Sequence, residues 1–152
     1  MQLLTFSLNG INYGIPIKDV ESIESRVDIV NIPTAPPYIR GIIKLHGTIV
    51  PVFNLASRFG VESASVENLV IASSDGMKIG LEVEKVKEIV EVENKSVLPM
   101  PVIMNGGQNC FSDVAARQKE LIAMLDVGSL ISLEEKEKIR QIIRENSNEN
   151  KA

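Results

Sequence analysis

Apolar and polar residues alternate along most of the chain. In Leu4-Thr5-Phe6-Ser7-Leu8 the apolar positions share one face, which predicts a strand. Asn9-Gly10 follows, and both residues tolerate positive φ, so the pair predicts a tight hairpin. Ile11, Tyr13 and Ile15 resume the alternation until Pro16, which lacks an amide donor and marks an end or an edge. Ile17 to Arg26, with Val20 and Ile23 among charged residues, suits a short helix as well as a strand. Residues 27–40 carry Pro33, Pro36 and Pro37 and should be extended and irregular. Strand character returns at Ile42 and Ile43, breaks at Gly47 and continues from Thr48 to Leu55, which predicts a hairpin about His46-Gly47. Arg58-Phe59-Gly60 reads as a turn.

The second half repeats the style. Leu69-Val70-Ile71-Ala72 and the alternating Lys78 to Glu84 flank the turn Ser74-Asp75-Gly76, predicting another hairpin. Val86 to Val92 is apolar and acidic by turns, Pro99 to Gly107 is a second irregular stretch, and Leu121 to Leu125 reads as a last buried strand. The end departs from this pattern. Ser132-Leu133-Glu134-Glu135 has capping-box spacing, and Leu133, Ile139, Ile142 and Ile143 lie near one helical face. A helix is expected from about Leu133 to Arg144, followed by a flexible polar tail over 145–152. Many short strands without strand–helix alternation predict an all-β sandwich or barrels. The two halves have similar layouts, although no convincing internal repeat joins them.

Composition narrows the function. At 152 residues the chain makes one domain, or two small ones sharing a core. Lys+Arg 16 against Asp+Glu 20 gives a net charge of −4, without the basic footprint that nucleic acid demands, and 4% aromatic residues supply few stacking platforms. One Cys and one His leave little for a disulfide framework, a metal site or an acid–base pair. Cys110 reads as a lone semi-buried thiol, and His46 as a hairpin residue that either bonds locally or meets a partner. No Gly-rich phosphate loop is visible, and no pair of carboxylates is singled out. No apolar run approaches a membrane span, and the first residues carry no basic signal region, so a cytoplasmic location without direct membrane insertion is expected. What remains is the profile of an interaction module, with apolar surface and strand edges available to partners.

One block is more specific. Pro33-x-x-Pro36, followed by Gly41-Ile42-Ile43-Lys44-Leu45-His46-Gly47-Thr48-Ile49-Val50-Pro51-Val52-Phe53-Asn54-Leu55, resembles the signature of the CheW family, the adaptors of bacterial chemotaxis. Phe6-x-Leu8 to Tyr13-Gly14-Ile15 resembles the family's opening hairpin. Gly80-Leu81-Glu82-Val83-Glu84-x-Val86 resembles its Gly-Leu-x-Val-Asp-x-Val, and Leu125-Asp126 to Leu130 its closing segment. The similarity covers roughly residues 3–133.

The resemblance implies two SH3-like five-stranded β-barrel subdomains sharing a core, ahead of the C-terminal helix. It implies a single CheW-like domain over 1–144 made of two intertwined subdomains, with the boundary between them near 65–85. It also implies a non-catalytic adaptor with no cofactor and no metal, sitting at membrane-associated receptor arrays. Two partners follow: the regulatory domain of the histidine kinase CheA, and the cytoplasmic tip of a methyl-accepting chemotaxis receptor. The hairpin block is the expected kinase site, through Gly47, Ile49, Val50 and Val52, with one of Ile49 and Val50 facing outward because neighbours in a strand point to opposite faces. The expected receptor site is an apolar groove between the barrels. Val20, Ile23, Val86 and Ile89 would line it, and Arg40, Gly41, Lys44 and His46 would rim it.

The chain departs from the family pattern at Lys44 and His46, where the family has Asn and Arg, and at Ser22, where it often has Glu. In the family that Glu can pair with the Arg, and a Ser22–His46 hydrogen bond would compensate for the altered pair. Two other readings stand beside the adaptor. One is an oligomerisation or scaffold module of a non-chemotaxis kinase pathway, and the other is a small-ligand-binding β-barrel.

Overall fold

The structure, a computed structural model, describes residues 1–25, 27–33, 35–60, 62, 66–74, 76–99, 111–131 and 133–149. Eleven strands form two sheets. One has six strands in the order β8-β1-β2-β11-β10-β9, from β1 (Gln2–Leu8), β2 (Ile11–Pro16), β8 (Lys85–Glu91), β9 (Val97–Pro99), β10 (Phe111–Arg117) and β11 (Glu120–Leu125). The other has five in the order β3-β6-β7-β5-β4, from β3 (Val20–Glu24), β4 (Ile39–Leu45), β5 (Thr48–Asn54), β6 (Asn68–Ser74) and β7 (Met77–Val83). A short helix, α1 (Leu55–Phe59), follows β5, and α2 (Leu133–Glu149) closes the chain.

The chain crosses between the sheets twice, at a 3₁₀ turn over Ile17–Asp19 and again between Val83 and Lys85. Only the second crossing falls near the expected 65–85 boundary. β1 and β2 belong with the late strands, so the subdomains are interleaved in sequence. The ambiguous segment after Pro16 resolves into the 3₁₀ turn followed by β3.

Turn chemistry fixes the hairpins. Asn9 and Gly10, at φ 52° and 75°, join β1 to β2 with Leu8 opposite Ile11. His46 and Gly47, at φ 50° and 79°, do the same for β4 and β5 with Leu45 opposite Thr48. Asn54 is the N-cap of α1: its Oδ1 accepts from the Ser57 amide at 3.2 Å, and Gly60 closes the helix in the left-handed region. The expected turn at Arg58-Phe59-Gly60 is therefore the end of a helix, and the strand stops one residue short of Leu55. α2 runs to Glu149, beyond the Arg144 end expected for it. Ser132, the expected cap, and the Leu133 side chain lie outside the described residues, as do Asp75 and the irregular stretch 100–110 with Cys110.

Three clusters make the core. Leu3, Val90, Val92, Ala115, Ile122 and Met124 pack within the six-stranded subdomain, and Ile43, Val50, Val52, Leu69 and Ile71 within the five-stranded one. The largest cluster lies between the sheets and includes Phe6, Tyr13, Ile15, Phe53, Ile79, Leu81, Leu125 and Ile139. Each sheet is thus covered on both faces, which makes several strands buried at consecutive positions rather than alternate ones. All six aromatic residues of the chain serve packing. Tyr13 stacks on Phe6, Phe59 and Phe111 at 5.5–5.7 Å, and Tyr38 meets Phe53 at 5.6 Å.

Candidate functional site

The β4–β5 hairpin was expected to offer an outward apolar residue, and it does not. Val50 and Val52 are fully buried inside the five-stranded subdomain. Ile49 does point to the opposite face, but that face is covered too. Ile49 is only 8% exposed, and it shares a pocket with Met77 and with Arg140 and Ile143 of α2. The period-two rule places the side chains correctly; the second covering layer is what removes the outward surface. The exposed part of the hairpin is its tip: Lys44, His46, Gly47 and Thr48.

Gly41 is buried and structural. Its φ is +155°, and a Cβ there would lie 2.1 Å from the carbonyl oxygen of Val30. The loop before β4 comes this close because Val30 and Ile42 exchange two backbone hydrogen bonds, at 2.8 and 2.9 Å. Gly41 therefore lets the proline-bearing segment close over β4 and is not available as a rim contact.

The expected groove residues divide. Val20 and Val86 are half-buried against the shared core, whereas Ile23 and Ile89 are 43% and 55% exposed. They sit on two edge strands, β3 of one sheet and β8 of the other. These strands share β6 as a neighbour: Glu24 pairs with Leu69, and the Val86 amide donates to Asn68 Oδ1 at 3.0 Å.

The expected polar rim is spread out. Arg40 and His46 are six residues apart on β4 and its turn, roughly 20 Å along an extended strand. Lys44 and His46 stay at the exposed tip, while Arg40 turns toward a cleft that it lines with Glu24 and Glu82. The compensating Ser22–His46 bond is not formed. Ser22 Oγ instead donates to Glu24 Oε1 at 3.3 Å, and His46 makes no side-chain hydrogen bond among the described residues.

Two charged groups escaped the sequence reading. Glu82 looks like a solvent-side position of an alternating strand, yet its side chain is 5% exposed and pairs with Arg40 Nε at 3.2 Å. Burial pushes its carboxyl above the usual carboxylate range, against the pull of Arg40. Arg58 of α1 forms two 3.1 Å bonds to Glu135 of α2 and lies over the Tyr38 ring, 5.2 Å from its centroid. No local motif marks either pair, because the partners are 42 and 77 residues apart.

Among the described residues, no group of three His, Cys, Asp or Glu is placed to hold a metal, and no helix is long and apolar enough to cross a membrane. Among the described residues, the accessible features include the β4–β5 hairpin tip, the edge strands β3 and β8, and the polar cleft beside Arg40. They belong to an all-β protein of two SH3-like subdomains with a C-terminal helix, whose features for recognition are surfaces.

The model of the CheW-like domain family matches residues 2–135. Curated relatives include the chemotaxis protein CheW of Treponema pallidum, 30% identical over 93% of this chain and 88% of the relative. That of Rhizobium meliloti is 26% identical over 90% of each. Among solved structures, the scaffolding protein TtCheW of Thermoanaerobacter tengcongensis superposes with a TM-score of 0.79 at 29% identity, over 87% of this chain and 92% of that one. The chain belongs to the CheW family.

Proposed function

We propose that this protein is a non-catalytic adaptor that couples the cytoplasmic tip of a chemoreceptor to the regulatory domain of the histidine kinase CheA, at membrane-associated receptor arrays. The observation that carries the reading is the family match across residues 2–135, together with a two-subdomain architecture shared with a scaffolding protein.

The kinase contact is assigned to the exposed tip of the β4–β5 hairpin, Lys44 to Thr48, which retains Gly47 from the sequence expectation and leaves out the buried Ile49, Val50 and Val52. The receptor contact is assigned to the edges of β3 and β8. Ile23 and Ile89 are exposed there, Val20 and Val86 form the floor, and Arg40 stands on the neighbouring cleft. A helical hairpin fits such a site because it presents apolar residues at helical spacing to an apolar strip.

The test is a pull-down with the kinase regulatory domain and, separately, with a receptor tip fragment. Capture of both, with Lys44→Glu weakening only the kinase and Ile89→Asp only the receptor, is the expected result. Failure to capture either partner would overturn the adaptor reading.

A further inference from the structure

The five-stranded subdomain opens into a cleft of about 220 Å³ where β3 runs out beyond Glu24. Among the described residues, three carboxylates line it, Glu24, Glu67 and Glu82, against one guanidinium, Arg40. An acidic lining alone is common and needs no ligand. The state of Glu82 is what sets this cleft apart. Its side chain is 5% exposed, and Oε1 is sealed from solvent without a hydrogen bond among the described residues. Arg40 Nε, 3.2 Å away, is its ion-pair partner, and the Arg40 side chain is itself 57% exposed. A buried carboxylate short of hydrogen bonds is costly and favours any donor that reaches it.

We propose that this cleft recognises a compact organic cation, the guanidinium or ammonium end of a basic side chain on a partner protein, which completes the hydrogen bonding of Glu82. Charge supports the choice, since among the described lining residues three carboxyl groups stand against Arg40. A guanidinium offers five N–H donors in a plane and forms the stronger, charge-assisted bonds. Size supports the source: the volume falls below the roughly 300–1,000 Å³ of pockets that enclose whole small ligands, so it suits the end of a side chain. The cleft meets the proposed receptor contact through Arg40, while neither the hairpin tip nor the exposed Ile23 and Ile89 line it.

The test uses the full chain, ¹⁵N-labelled, titrated with Nα-acetyl-arginine methylamide, with its neutral citrulline counterpart, and with agmatine, a free guanidinium that also carries an ammonium group. Saturable shifts are expected at the amides of residues 66–69, 82 and 24–29 with the blocked arginine, and none with the citrulline compound. Glu82→Gln should weaken binding by about ten-fold, the scale of a lost charged hydrogen bond. Arg40→Ala, which removes the competing guanidinium, should tighten it. Should Glu82→Gln fail to fold, Glu24→Gln and Glu67→Gln serve in its place, each expected to weaken binding about two-fold, the scale of an exposed charge pair. Equal shifts with the citrulline compound, unchanged affinity in these carboxylate variants, or no saturable shift would overturn the proposal. Binding of agmatine without the blocked arginine would overturn the side-chain source.

Discussion

Arg58 and Glu135 face each other through two hydrogen bonds of 3.1 Å, fastening α2 to the end of α1. The side chains are 21% and 17% exposed, so the pair is largely withdrawn from water, and the Tyr38 hydroxyl donates to the same carboxylate. Bidentate geometry and partial burial set this pair apart from the other ion pairs of the surface, which are worth little.

Removing the cation takes two donors from Glu135 in a half-dry site. Arg58→Met should destabilise the protein by about 1–3 kcal/mol, the cost of stranding a charged hydrogen-bonding group. It should also loosen α2 and so expose Ile139, which is fully buried in the shared core. Urea unfolding measures the first effect and faster amide exchange along α2 the second. Unchanged stability and exchange would show that the helix is held by its apolar face alone.

A backbone prediction concerns Gly41. Gly41→Ala would drive a methyl group to 2.1 Å from the Val30 carbonyl oxygen, at a φ of +155° that L residues rarely adopt. The loop would have to surrender its two hydrogen bonds to Ile42. A loss of more than about 3 kcal/mol is expected, in the class of forbidden-backbone and broken-network changes. Thermal melting measures it, and a near-wild-type midpoint would mean that the loop yields easily.

How much of this was legible follows from the range of each interaction. The turns Asn9-Gly10 and His46-Gly47 are local, and the sequence reading places both hairpins correctly. The apolar side of α2 is also visible at helical spacing, through Ile139, Ile142 and Ile143. β10 was missed because its turn to β11, Gln118-Lys119, carries no Gly or Asn, although Gln118 still takes φ 57°. The site suffered from a different cause. A period-two pattern says which residues share a face, but not whether a second layer covers that face, and here α2 does so over Ile49 through Arg140 and Ile143. Likewise, nothing near Glu82 announces Arg40, which reaches it from another strand.

The hairpin tip separates binding from folding. Val50→Asp places an unpaired charge in the five-stranded core and should unfold the protein or cost several kcal/mol. Lys44→Glu, on an exposed side chain, should leave the melting temperature nearly unchanged while weakening kinase binding. His46→Asn converts the turn to Asn-Gly, better suited to φ 50°, and should stabilise the fold by a few tenths of a kcal/mol. Melting curves and kinase affinities measured on the three variants decide the matter. Kinase affinity unaltered in folded Lys44→Glu would place the contact away from the tip.

Glu82 gives the fold a pH dependence whose sign is fixed by its burial. Desolvation raises its folded pKa above the ordinary 4.5, and the attraction of Arg40 offsets only part of that. The native state therefore holds this proton more tightly than the unfolded chain does. Stability from this group is full below pH 4.5 and is lost as pH rises through the folded pKa. Glu82→Gln carries no such proton, so the stability of wild type relative to the variant should fall as pH climbs from 4.5 toward neutrality. At pH 7 the variant should be as stable as wild type or more so, because replacing a buried ion-pair member by a neutral group of similar shape removes a desolvation cost while the exposed Arg40 returns to water. Urea unfolding of both proteins between pH 4.5 and 8 measures the difference directly. A difference that grows with pH would mean that Arg40 outweighs burial and that Glu82 is a stabilising carboxylate.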